Sequence, residues 1–406
     1  MHRKRIKKII GDVVINLVSN GLMVIMIQII LLPFLSRNTS SADFGVILTI
    51  YGINHAIGLF LGNSLNNLRL LDNDQSKGSG DYSSLFVKVL IASIILSSIF
   101  LYFYGSSLSI AEIIFLIALS LLTVTKNYTL VYFRIKIMFN EIFIVNVFSI
   151  VGLILGMALY NYLNFWPLIF VLSEGIGVIY LYFQTPILKE KPQRTSKYKK
   201  KKKKFIHLAS ANIIPSFLTY LDRLLLAPTL GVNNVSLYFV ASSVGKFVAI
   251  LVGPMNNVIL TYISRVQNKK ARSMFLKSLV VSIGIIFIGY TIIILTAPVI
   301  INILYPAMAD EALRYANVAN LATIIMIASK MLNLFILKFC RISFQTIIQA
   351  SYAIIYIGGS IFLSINFGLY GFAIATLLAN LVRYLLMAFV GLRYIIHDVQ
   401  ESIGAV

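Results

Sequence analysis

The chain has 406 residues, 59% hydrophobic and 12% charged, with a mean hydropathy of +0.88. That is too little charge to cover a soluble domain, and apolar runs of about 20 residues exclude a barrel of short alternating strands. The net charge of +21 would point to nucleic acid in a soluble protein, but here it reads as the Lys and Arg excess of cytoplasmic loops, so no nucleic-acid partner is expected.

The expected fold is an all-α polytopic membrane protein of about twelve transmembrane helices. The basic start, MHRKRIKKII, runs into the first span at 11–35 with no A-x-A-like site after it. It reads as an uncleaved span rather than a signal peptide. Spans at 44–66, 84–104, 107–128, 142–163 and 165–187 follow. The short turns around Tyr104–Ser107 and Tyr160–Trp166 predict antiparallel hairpins. After the basic connector KEKPQRTSKYKKKKKKF come spans at 205–228, 235–260, 277–304, 315–337, 345–366 and 369–394. The expected organisation is an N-terminal six-helix lobe (1–187), a cytoplasmic connector (188–204) and a C-terminal six-helix lobe (205–406).

Orientation follows from charge. Thirty-one of the 35 Lys and Arg residues fall on one side: in the N-terminal arm, the connector, the loops holding Arg69, Lys88, Lys126 and Arg134, the loop after span eight from Arg265 to Lys277, and the last inner ends from Lys330 to Arg393. Only Arg37 and Arg314 fall on the other, and Arg223 and Lys246 complete the count. Both termini are therefore expected in the cytoplasm. The connector reads as a topology anchor beside anionic lipid, with a specific lipid or enzyme contact as the alternative.

The halves echo each other at a shift of 191: Gly62 falls on Gly253, Asn66 on Asn257 and His55 on Lys246. Both segments begin outside, so the repeat is parallel, with its pseudo-two-fold axis along the membrane normal.

No H-E-x-x-H or P-loop pattern occurs. His2, His55, His207 and His397 are scattered, and the lone Cys340 makes neither an intrachain disulfide nor a metal cluster. No organic cofactor or metal is expected. What remains is charge inside the spans, which is costly and usually faces a cavity or a partner. His55, Glu174 and Lys246 count to mid-span. The repeat would bring Lys246 and His55 towards one axis, in a space between the lobes, where two basic groups suit an anion and above all a diphosphate. His55 also fits a hydrogen-bonded packing residue. Glu174 fits either a packing counter-ion or a proton or sodium site. The asparagines Asn54, Asn63, Asn66, Asn256 and Asn257 fit sugar hydroxyls or helix–helix contacts. Asp222 and Arg223 lie towards the outer end of span seven. Consecutive helical residues do not face each other, so Arg223 is read as snorkelling outwards and Asp222 as pointing to water, a cavity or another helix. Lys330 and Arg383 lie in inner thirds of their spans, where they reach either the interface or an inner cavity.

The segments YLDRLLLAPTLGVNNVSLYFVASSVGKF, PMNNVILTYISR and LSRNTSSADFG resemble polysaccharide-repeat-unit flippases (Wzx-like proteins) of the multidrug/oligosaccharidyl-lipid/polysaccharide flippase superfamily. The third carries Arg37, Asp43, Phe44 and Gly45. The family's Gly before the span-eight Tyr is replaced by Leu237, before Tyr238. The resemblance implies two pseudo-symmetric six-helix lobes around a central cavity. It implies translocation of an undecaprenyl-diphosphate-linked oligosaccharide repeat unit by alternating access, for O-antigen, capsule or exopolysaccharide. In that reading Lys246 and His55 hold the diphosphate, Glu174 and Asp222 serve ion coupling (H+ or Na+) or gating, and Arg37 and Arg223 form an outer docking surface. Membrane lipids surround it, a polysaccharide polymerase and co-polymerase act next, and the site is the bacterial cytoplasmic membrane. A cation-coupled multidrug exporter is the rival on the same scaffold. A membrane-embedded glycan transferase or polymerase is the other, although no sizeable loop is present to hold catalytic groups.

Overall fold

The computed structural model describes residues 15, 18, 19, 21–71, 79–249, 268–340 and 342–395. Among them every regular element is helical, the arrangement that satisfies backbone polar groups within each lipid-facing segment. Nine helices there are long and apolar enough to cross a membrane, or ten if one bent pair is a single span. The last of the nine, Ser343–Tyr394, contains two predicted spans. The predicted eighth span (235–260) is described only as far as residue 249. The N-terminal basic arm, Gly253, Asn256 and Asn257 lie outside the described residues.

The chain divides into two compact units. Unit 1 comprises Met1–Leu35 and Val46–Leu224. It holds α1 (Gly21–Asn38, entering from its N-terminal side), α2 (Ser41–Leu70, from Val46), α3 (Ser79–Tyr104), α4 (Ile110–Lys136), α5 (Phe139–Leu163), α6 (Pro167–Gln184) and α7 (Tyr198–Leu218). The start of α8 (Leu221–Leu230) also belongs to it, after a 60° bend from α7. Both predicted hairpins form. A capping box starts α4: the Ser109 hydroxyl accepts from Glu112 N at 3.3 Å, and the Glu112 carboxylate accepts from Ser109 N at 2.8 Å. Asn164 ends α5 at φ 50°, and Pro167 opens α6. Gly152 and Gly156 bring α5 against the α6 backbone, since a Cβ on them would stand 2.4 Å from Leu172 O and 2.5 Å from Ile169 Cα. The core of the unit gathers Ile57, Leu65, Val124, Val131, Tyr82 and Tyr128.

The connector is not a free loop. Arg69 donates to both Glu190 carboxylate oxygens, at 2.9 and 2.5 Å, and to the Tyr128 hydroxyl at 2.8 Å. Ser83 donates to Glu190 O, Ser84 to Gln193 O, and Gln193 N to Gly80 O. Asp81, fully buried, accepts from Thr195 N and Thr195 Oγ1, both at 2.7 Å, and pairs with Lys201 at 3.3 Å. Residues 190–195 thus form a strap along the ends of α2 and α3, and the lysine run 199–204 opens α7. Six lysines at a helix N-terminus oppose its macrodipole. Asp81 offsets that charge at Lys201, which also lies 4.3 Å from the Tyr82 ring centre.

Unit 2 comprises Ser36–Gly45 and Leu225–Val406. It holds the rest of α8, then α9 (Val232–Ala241), α10 (Asn268–Leu304), α11 (Ala309–Phe339) and α12 (Ile342–Val390). α12 breaks at Gly368 (φ 61°, ψ −148°), between the two predicted spans. That backbone region is open essentially to glycine alone. Phe275, Leu332, Phe335, Tyr384 and Met387 form the core.

These units depart from the predicted boundaries in two places. α7, expected to open the second lobe, belongs to unit 1. Phe217 lies against Phe60 and Phe100 (5.9 and 5.8 Å), and Asn212 donates to Ser64. Segment 36–45, expected in the first lobe, belongs to unit 2. Phe44 is fully buried against Phe239 and Tyr305, and Ser41 and Ser236 are hydrogen-bonded. The Gly45 backbone approaches α9 so closely that a Cβ would stand 1.9 Å from Val232 O.

Candidate functional site

Unit 1 contains an open cavity of about 290 Å³ built from α1, α2, α4, α5, α6 and the α7–α8 bend. Its charged lining is Lys126, Glu174 and Arg223, with His55 beside them. Tyr51 and Tyr220 supply aromatic walls.

Each side chain reaches this space for a local reason. α4 continues past the predicted end of its span to Lys136. Lys126 is therefore an intrahelical residue, 8% exposed. Its ammonium donates to Ser149 at 2.9 Å and pairs with Glu174 at 3.2 Å. Counting it as a cytoplasmic loop charge missed this, because a linear count does not show which way a helical side chain turns. Arg69, counted the same way, is buried against Glu190. Glu174 stands in the counter-ion geometry that was one of its two readings.

His55 stacks on Tyr51, ring centres 5.6 Å apart, and meets Tyr220 edge-on at 6.0 Å. Tyr51 stacks in turn on Phe170 at 4.6 Å. Arg223 does not snorkel outwards. It is 8% exposed, donates to the Leu48 carbonyl of α2 at 2.7 Å, and lies 5.2 Å from the Tyr220 ring centre. The 60° bend between α7 and α8 turns it inwards, a break that no Pro or Gly at 218–221 signals. Asp222 sits in the first turn of α8 and accepts from Arg223 N at 2.9 Å, a carboxylate at a positive helix end. Of the asparagines, Asn66 donates to Asn127 O and accepts from Arg134, and Asn54 accepts from Ser97. Both serve helix contacts.

Unit 2 places the remaining residues. The Lys246 ammonium lies 4.9 Å from the Phe239 ring centre and 5.9 Å from that of Tyr238. Its repeat partner His55 belongs to unit 1. Arg37, in the last turn of α1, is exposed and donates to Ile303 O. Around it, Ser40 and Asp43 hydrogen-bond reciprocally at the start of α2. The LSRNTSSADFG motif thus has a structural account, through caps, the Phe44 core and the Gly45 approach. Lys330 on α11 is exposed. Arg383 on α12 is half-buried, its guanidinium 4.9 Å from the Tyr352 ring centre. Among the described residues no group of three or more His, Cys, Asp or Glu is placed to hold a metal ion.

Taken together, the unit 1 cavity has two basic side chains against one carboxylate. Such a space can receive an anion without requiring a new cation, and its aromatic walls can receive a flat apolar or sugar face.

A family described as polysaccharide biosynthesis protein matches residues 34–312. No curated protein matches the chain by sequence. Among solved structures, an inward-facing multidrug resistance MATE family transporter of the MOP superfamily aligns with a TM-score of 0.66 at 12% identity, covering 96% of each chain. The lipid II flippase MurJ, in an inward closed conformation, aligns with a TM-score of 0.63 at 14% identity, covering 97% of this chain and 88% of that one. An outward-facing MATE transporter gives 0.61 at 12% identity, covering 98% and 96%. The chain shares the fold of these transporters.

Proposed function

The chain belongs to the polysaccharide biosynthesis protein family, and from that premise we propose that it is a flippase for an undecaprenyl-diphosphate-linked oligosaccharide repeat unit. It works by alternating access in the bacterial cytoplasmic membrane, with both termini in the cytoplasm. The product feeds a polymerase and co-polymerase that build a surface polysaccharide such as O-antigen or capsule. The observation that carries the reading is the sign of charge in the unit 1 cavity, where Lys126 and Arg223 outnumber Glu174. The diphosphate and sugar are the groups that cannot cross hydrocarbon unaided. Cations lower the barrier for the first, and hydroxyl-rich or aromatic walls suit the second. His55 serves the diphosphate in the unit 1 cavity beside Lys126 and Arg223, and Lys246, its counterpart in the repeat, serves it in unit 2. Glu174 and Asp222 serve coupling to H+ or Na+, or gating. Arg37 attracts the anionic headgroup on the outer side.

Drug export is the competing activity on this scaffold, and solved relatives include multidrug transporters. The aromatic pair Tyr51 and Tyr220 suits it equally. The charge does not, since an exporter of cationic drugs calls for an acidic cavity.

The test is polymer export from cells carrying Arg223→Gln, Lys246→Ala or His55→Ala in place of the wild-type chain. Loss of surface polymer with normal protein levels is expected. Normal polymer from well-expressed variants would overturn the assignment, and drug resistance conferred without any polymer phenotype would favour the rival.

A further inference from the structure

Unit 2 contains a second cationic cluster, and its chemistry differs from that of unit 1. Three buried cations of unit 1 have carboxylate partners: Lys126 has Glu174, Arg69 has Glu190, and Lys201 has Asp81, while Arg223 donates to the Leu48 carbonyl. From Leu225 to Ile395 the sequence holds only two acids, Asp310 and Glu311. Both lie in the first turn of α11. Lys330 is 20 residues further along that helix, about 30 Å away at 1.5 Å per residue.

Lys330 nevertheless has a charged neighbour, and it is of the same sign. Arg383 stands on α12, whose Tyr384 and Met387 share one core with Leu332 and Leu334 of α11, and it lies within electrostatic range of Lys330. The Arg383 guanidinium rests over the Tyr352 ring at 4.9 Å, while its Nε is buried with no hydrogen-bond partner among the described residues. Polar atoms one turn away are in the same condition: Asn333 Oδ1 after Lys330 and Asn380 Oδ1 before Arg383. Two like charges brought together on packed helices, beside unsatisfied polar atoms, are unfavourable unless an anion or water completes the set. A ring face orients a guanidinium but does not neutralise it. Lys330 is exposed, so the cluster is reachable from outside the unit.

We propose that Lys330 and Arg383, with Tyr352 as the platform, form a binding site for a phosphate-bearing anion in unit 2. The planar fork of Arg383 suits two phosphate oxygens, and Lys330 adds a mobile point charge. The anion is either a phospholipid headgroup or a free diphosphate group. This site does not depend on the oligosaccharide reading, because it uses none of the residues assigned to that substrate.

The experiment uses the full chain in phosphatidylcholine nanodiscs, with two probes. One is inorganic pyrophosphate, titrated by calorimetry. The other is phosphatidylglycerol doped into the disc, with retained lipid counted by native mass spectrometry. Wild type is expected to bind at least one probe. Lys330→Gln and Arg383→Gln should each weaken that binding about tenfold, and Lys330→Arg should keep it within about twofold. Pyrophosphate binding identifies a diphosphate site, and phosphatidylglycerol retention alone identifies a lipid site. If neither probe binds, or if Lys330→Gln binds as wild type does, the proposal fails. Should Arg383→Gln not fold, the exposed Lys330 pair of variants decides the matter alone.

Discussion

Lys126 of α4 and Glu174 of α6 form an ion pair at 3.2 Å inside the unit 1 cavity. Removing one member strands the other charge in a desolvated place, whereas removing both does not. Lys126→Met and Glu174→Gln should each destabilise the protein by about 3 kcal/mol. The double variant should lose less than either single one. Thermal unfolding in detergent checks this, and additive losses would show that the two groups are not coupled.

Gly45 stands against Val232, the first residue of α9. Gly45→Ala puts a methyl group 1.9 Å from the Val232 carbonyl, so backbone has to move. A loss of about 1–3 kcal/mol is expected, read as a lowered unfolding temperature. Unchanged stability would mean that the two segments separate readily.

Gly368 interrupts α12 with φ 61°, and nothing lies within 4 Å of where its Cβ would be. Gly368→Ala therefore tests backbone strain without a steric clash. It should destabilise by about 1–3 kcal/mol. Gly358, with equally open space but within a helical stretch, should become neutral or slightly more stable as alanine. Equal responses at the two sites would refute the strain argument.

Asp81 ties the connector to α3 through Thr195 and Lys201. Asp81→Asn keeps the size and removes the charge. The strap should loosen, and trypsin should cut within 189–204 several-fold faster than in wild type, as shown by gel time courses. Cleavage at the wild-type rate would mean that the Arg69–Glu190 pair suffices.

Much of the fold was legible because hydrocarbon imposes a simple rule: runs of about 20 apolar residues mark spans. Hairpins at Tyr104–Ser107 and Tyr160–Trp166 followed from turn length alone. The allegiance of α7 was not legible, since it rests on Phe217 meeting Phe60 and Phe100, contacts far apart in sequence. Of the site, His55, Glu174 and Arg223 stood out as charge within apolar spans. Lys126 did not, because it lies near the predicted end of its span and was absorbed into the loop count. The inward turn of Arg223 depends on a bend between α7 and α8 that no Pro or Gly at its centre announces.

The strap has a consequence for how this chain can be divided. A cut in the connector looks like a cut between halves, yet it would leave α7 covalently joined to the C-terminal fragment while packed inside the N-terminal unit. Two fragments expressed separately with that cut would be interlocked by an exchanged helix. They are therefore suited to complementation in cells, each fragment lacking a folding partner until the other arrives.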